Sequence, residues 1–134
     1  MAAFEFPVRV YWEDTDAGGI VFYANYLKFF ERARTEWLRA RGVQQRALRE
    51  QSGGMFVVAC ATLKYHRPAR LDDELIVTAR LQDSGRAALT IAQQARLAGP
   101  GDLLCEGAIR IGWVDAASMK PARIPPALIE KLNS

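Results

Sequence analysis

One histidine in 134 residues is the scarcest feature of this chain, and it removes more chemistry than it adds. Structural zinc sites and His-dependent acid–base or nucleophilic catalysis draw on imidazoles and thiolates at set spacings. His66 stands alone, and the two cysteines, Cys60 and Cys105, form no C-x-x-C motif. Both cysteines lie in apolar, strand-like runs and are expected to be buried, reduced thiols rather than a disulfide framework. No stretch approaches the roughly 18 to 20 apolar residues that a membrane span needs. The opening Met1-Ala2-Ala3-Phe4-Glu5-Phe6 lacks a basic n-region and an apolar h-region, so a cytoplasmic location is expected. Nor is there a block of like charge. Eighteen basic residues against fifteen acidic leave a net charge of +3. The dispersed excess weakly favours an anionic small molecule and supplies no patch for nucleic acid. With no internal repeat, no low-complexity linker and no second domain, the chain reads as one domain over 1–134.

Half of the residues are hydrophobic, enough for a core. Phe4, Phe6, Val8, Val10 and Trp12 recur with a period of two, which predicts a half-buried strand over 4–13. The period then changes. Tyr26, Phe29, Phe30, Ala33, Trp37 and Ala40 follow helical spacing, while Lys28, Glu31, Arg32, Arg34, Glu36 and Arg39 fill the polar remainder. A helix over 25–41 follows, with Asn25 as N-cap and Gly42 as its stop. After a short helical turn at 44–51, strands are expected at 55–65, 74–81, 87–97 and 103–114. Asp83-Ser84-Gly85 and Gly99-Pro100-Gly101-Asp102 serve as turns between them, and a short helix closes the chain at about 127–132. One amphipathic helix against a run of antiparallel strands is an α+β arrangement. A single helix covers one face of a sheet, so the other face or an edge is expected to meet another subunit.

Residues 11–26 carry the chemistry: Tyr-Trp-Glu-Asp-Thr-Asp-Ala-Gly-Gly-Ile-Val-Phe-Tyr-Ala-Asn-Tyr. Asp14, Asp16 and Gly19 match the first, third and sixth positions of a calcium loop, but the twelfth is Asn25 rather than Glu, and no helix precedes. Gly18-Gly19 is not a phosphate loop, since no Gly-Lys-Ser/Thr follows. A carboxylate just ahead of a helix start faces backbone N–H groups that lack intrahelical partners. A base beside such donors suits a developing oxyanion, as in acyl transfer.

The run Tyr-x-x-Asp-Thr-Asp-x-x-Gly-Ile-Val-Phe-Tyr-x-Asn-Tyr, followed by Glu31-Arg32-Ala33-Arg34, resembles the signature of hotdog-fold acyl-CoA thioesterases. The branch is that of the 4-hydroxybenzoyl-CoA and Tol–Pal-associated enzymes. Tyr65-His66-Arg67-Pro68-Ala69-Arg70-Leu71-Asp72-Asp73 and the Lys120–Pro125 tail extend the likeness over nearly the whole chain. The resemblance implies a long helix wrapped by a curved antiparallel sheet and hydrolysis of acyl-CoA to free acid and coenzyme A. It implies Asp16 as nucleophile or general base, and the Tyr23 N–H as the group facing the thioester oxygen. Many Tol–Pal-type members carry His where this chain has Tyr23, which leans toward the hydroxybenzoyl type. Phe56, Val57 and Val58 match the strand beside the acyl and pantetheine arm, and Gly85-Arg86 the hairpin that meets the nucleotide. That hairpin can carry several cations; here Arg86 stands alone, with Lys64 or Arg67 of another subunit as reinforcements. The resemblance further implies a homotetramer built as a dimer of dimers, a link to the Tol–Pal envelope assembly, and no metal or redox cofactor.

Four other readings compete with this one. Asp16 could simply cap a turn. Glu31 could serve as a helix-borne acid, although a solvated or ion-paired role fits its basic neighbours better. A non-catalytic acyl-CoA-binding or envelope-interaction module would not need a carboxylate facing a thioester. A hotdog dehydratase wants an Asp/His pair, for which His66 is the sole candidate. His66 itself reads as structural or surface.

Overall fold

The computed structural model describes residues 3–133. The elements are β1 (Phe4–Arg9), α1 (Tyr26–Ala40), α2 (Gln45–Ser52), β2 (Gly54–Tyr65), β3 (Glu74–Ser84), β4 (Ala88–Leu97), β5 (Leu103–Asp115) and α3 (Pro126–Asn133). Two 3-10 turns, Trp12–Asp14 and Tyr23–Asn25, lie between β1 and α1. The five strands form one antiparallel sheet in the order β1-β3-β4-β5-β2, so β2 is an edge strand.

The core follows the two periodicities. From α1, Phe29, Phe30, Ala33 and Trp37 are buried against the inward row of the sheet, Val77, Leu89, Ile91 and Ile109 among them. The helix can lie this close because Gly107 has no side chain. A Cβ there would stand 2.9 Å from the Thr62 carbonyl oxygen and 3.2 Å from the Phe30 ring. The opposite sheet face is polar, with Thr62, Lys64, Gln94 and Glu106 bordering a groove of about 480 Å³.

Four expectations are corrected. β1 ends at Arg9, not residue 13, because the chain turns: the Val10 N–H goes to the Asp73 carbonyl and the Asp14 N–H back to that of Tyr11. Trp12, assigned inward by alternation, is 79% exposed as a result. β3 runs on to Ser84 through a bulge between Leu81 and Asp83. Asn25 does not cap α1 through its side chain; its backbone is already helical, and its amide group is committed to Asp14. Cys60 is exposed while Cys105 is buried. Cys60 pairs across the ladder with the exposed Arg110 and so shares the outer face of the edge strand.

Candidate active site

The segment between β1 and α1 folds back on itself. Thr15 bridges to Val21, and the Asp16 N–H donates to the Ile20 carbonyl at 2.9 Å. Gly19 accepts the reversal at φ +78, a backbone region that costs glycine little. The two carboxylates then part company. Asp14 is 3% exposed and accepts from the Tyr11 N–H at 2.8 Å and the Asn25 side-chain amide at 2.9 Å. Its own carbonyl accepts from the Phe22 N–H at 3.0 Å. Asp14 therefore ties the start of the loop to the helix entry. Asp16 is exposed; one oxygen accepts from the Gly18 N–H at 2.8 Å, and the other takes no hydrogen bond from the described residues. It both braces the turn and keeps a free oxygen.

Tyr23 opens the short turn before α1. Among the described residues nothing accepts from its N–H, and its side chain is 65% exposed. Its carbonyl accepts from the Tyr65 hydroxyl at 2.7 Å. That bond, with the 5.7 Å edge contact between the Tyr26 and Tyr65 rings, fixes the loop to the C-terminal end of β2.

Phe56, Val57 and Val58 lie elsewhere. They stand at the opposite end of β2 and, with Ile111, face Leu38 and Thr35 of α1 across a crevice of about 220 Å³. At ~3.3 Å per residue, eight residues of strand put Val57 and Tyr65 about 26 Å apart. Gly85 and Arg86 belong to that far end too. Ala88 pairs with Gly112, which pairs with Val57. The hairpin is closed by the Gly85 N–H donating to the Ala88 carbonyl at 2.8 Å, and its Arg86 carbonyl accepts from Ile124 at 2.7 Å. The Arg86 side chain is exposed. Within one protomer the structure thus groups Asp16 with the Tyr23 turn and Phe56–Val58 with Gly85-Arg86, and separates the two groups by the length of β2.

Of the other sequence candidates, Arg67 is held by Asp102 at 2.8 Å. His66 Nε2 lies 3.5 Å from the Glu106 carboxylate. Glu31 is exposed, without an ion pair among the described residues, at the border of the crevice. Sequence reasoning missed Arg34, which it counted with the polar face of the helix. Arg34 is 8% exposed, and its Nη1 donates to Gln93 Oε1 at 3.0 Å. Gln93 in turn donates to the Phe30 carbonyl at 2.9 Å and the Thr78 carbonyl at 3.1 Å. A polar residue at the inward register of β4, between Ile91 and Ala95, was the available signal.

A carboxylate with a free oxygen, in the same folded-back segment as an unengaged backbone donor and exposed aromatic side chains, can act on an electrophilic carbonyl as nucleophile or base. Residues 10–132 match the family model described as the thioesterase-like superfamily. The chain belongs to this family. It is 43% identical over 122 residues to the acyl-CoA thioesterase YbgC of Haemophilus influenzae, covering 91% of this chain and 88% of that one. It is 40% identical over 130 residues to the acyl-CoA thioester hydrolase YbgC of Escherichia coli O6:H1, covering 97% and 96%. Among solved structures, a probable thioesterase from Bartonella henselae superposes with a TM-score of 0.84 at 32% identity, covering 92% of this chain and all of that one. The five-stranded antiparallel sheet around one long helix is the hotdog fold of this thioesterase family. The described residues include no helix long and apolar enough to cross a membrane.

Proposed function

We propose that the chain hydrolyses acyl-CoA thioesters in a centre shared by two copies of itself. The observation that carries the shared centre is the separation along β2. Asp16 and Tyr23 sit at one end, the crevice and Arg86 at the other, and the outer edge between them is open. Unpaired strand edges present a row of donors and acceptors to another chain. Two β2 edges meeting antiparallel about a two-fold axis, centred near residue 62, would bring Tyr65 of one copy beside Val58 of the other. The Asp16 loop of each protomer then closes the crevice of its neighbour. A dimer of such dimers would use the polar outer sheet face.

In this centre the acyl group lies in the helix–sheet crevice and the thioester carbonyl points at the Tyr23 N–H. The Asp16 carboxylate either attacks the carbonyl carbon or deprotonates a water that does. Attack expels the coenzyme A thiolate and leaves an acyl–aspartyl anhydride that water then cleaves; the base route reaches the same free acid and thiol. As charge builds on the carbonyl oxygen, a fixed backbone donor is worth about 2.7–4 kcal/mol. Arg86 meets a phosphate of the nucleotide by a charge-assisted hydrogen bond. No metal or redox cofactor takes part. The Tol–Pal link is carried over from the family likeness.

Thiol release from a panel of short, long and aryl acyl-CoAs tests the activity. Asp16→Asn should lower turnover on the order of 10²- to 10⁴-fold with the melting temperature unchanged. Retention of more than about a tenth of wild-type turnover would count against Asp16.

A further inference from the structure

The free N–H of Tyr23 stands between two anchored carbonyls. On one side the Phe22 carbonyl accepts from the Asn25 N–H at 2.8 Å. In a trans peptide the C=O and the following N–H point in opposite directions, so this bond sets the direction of the Tyr23 N–H. It is a local tie, and it moves with the turn that contains it. On the other side the Tyr23 carbonyl accepts from the Tyr65 hydroxyl at 2.7 Å, across 42 residues of sequence. That tie relates the turn to the sheet.

Tyr65 is rigidly placed for this. Its backbone sits in the ladder opposite Cys105, which is fully buried. Its ring meets the ring of buried Tyr26 edge-on at 5.7 Å and that of Tyr23 at 6.4 Å. The Tyr26 hydroxyl accepts from the Ala69 N–H at 3.2 Å, so the ring beneath Tyr65 is itself tethered. Burial pushes the Tyr65 phenol up, with Cys105 and Tyr23 adding to the effect, so the hydroxyl keeps its proton at neutral pH. The side chain is nevertheless 46% exposed. An exposed hydroxyl exchanges water for this one acceptor, and such a bond adds little to stability. What it adds is direction.

Resting on the thioesterase reading above, we infer that Tyr65 is a positioning residue: its hydroxyl holds the turn so that the Tyr23 N–H faces the thioester oxygen as charge develops there. Tyr65 touches no reacting atom. Without the tie the substrate still binds, and the donor is weakened where charge has built up. The loss therefore falls on kcat rather than KM.

The test is a double-mutant cycle on steady-state hydrolysis of whichever acyl-CoA in the panel is turned over fastest. Tyr65→Phe keeps the ring and removes only the hydroxyl. It should lower kcat on the order of tenfold, with KM within about twofold and the melting temperature unchanged. Tyr23→Pro deletes the N–H itself. Proline suits the first position of a helical turn, and Phe22 before it is already extended at φ −60, ψ 133. Tyr23→Ala, which loses the ring and keeps the N–H, is its reference. Tyr65→Phe should keep its effect beside Tyr23→Ala and change kcat by less than about twofold beside Tyr23→Pro, where no donor is left to aim. A kcat for Tyr65→Phe within about twofold of wild type overturns the inference, whether or not the proline variants fold. So does an equal fall with and without the N–H, which would assign the hydroxyl to general structure. Equal turnover in Tyr23→Pro and Tyr23→Ala would instead remove the Tyr23 N–H from the mechanism proposed above, and the role of Tyr65 with it.

Discussion

At the scale of single residues, environment divides like from like. Asp14 and Asp16 are two positions apart, yet one is enclosed by two donors and the other is exposed with an oxygen to spare. The sequence motif marked both as carboxylates; only the folded loop shows that Asp14 holds the Tyr11 N–H and the Asn25 amide. The cysteines divide the same way. Burial pushes the Cys105 thiol up to about 12, with nearby Glu106 adding to the effect. An unfolded thiol titrates near ~8.5. The native state thus keeps a proton that the unfolded chain gives up, so this contribution is complete below about pH 8.5 and declines as pH rises toward about 12. Denaturant melts from pH 8 to 10.5 should show stability falling with pH, and falling less steeply in Cys105→Ala. Equal slopes in the two proteins would contradict the assignment.

Elements were legible where one period ran unbroken. α1, β2, β4 and β5 stand within a residue of where helical spacing and alternation placed them, while β1 is shorter and β3 longer than expected. The misses share a cause: a tertiary partner overrode a local pattern. Alternation carried β1 to Trp12 because nothing local reveals that Asp14 turns back onto Tyr11. Arg34 looked like any charged helix residue because its partner, Gln93, is 59 residues away. The role of Gly107 was equally silent, since it depends on how closely α1 approaches β5 and β2. Gly107→Val should crowd the Phe30 ring and the Thr62 carbonyl and cost about 1–3 kcal/mol, read as a lower denaturation midpoint. A midpoint equal to wild type would show that the helix does not rest on this strand.

At the scale of the whole molecule, the chain has the hotdog fold, with its candidate site residues in two groups. The motif at 11–26 identified the family's chemistry, and the long β segments identified its sheet. What the sequence could not express is distance: Asp16 and Val58 belong to one motif set but to opposite ends of one strand. Nothing in the order of residues tells which copy would complete which site; the proposed pairing rests on β2 being an edge strand. The measurement that bears on this most directly mixes two disabled proteins. Asp16→Asn lacks the carboxylate; Val58→Trp blocks the crevice and keeps Asp16. After exchange of protomers, half of the dimers are mixed, and each holds one intact centre, with Asp16 from one chain and an open crevice from the other. The account predicts recovery to roughly a quarter of wild-type hydrolysis from two nearly inactive samples. No recovery, with exchange verified by mass, would contradict a centre built by two chains.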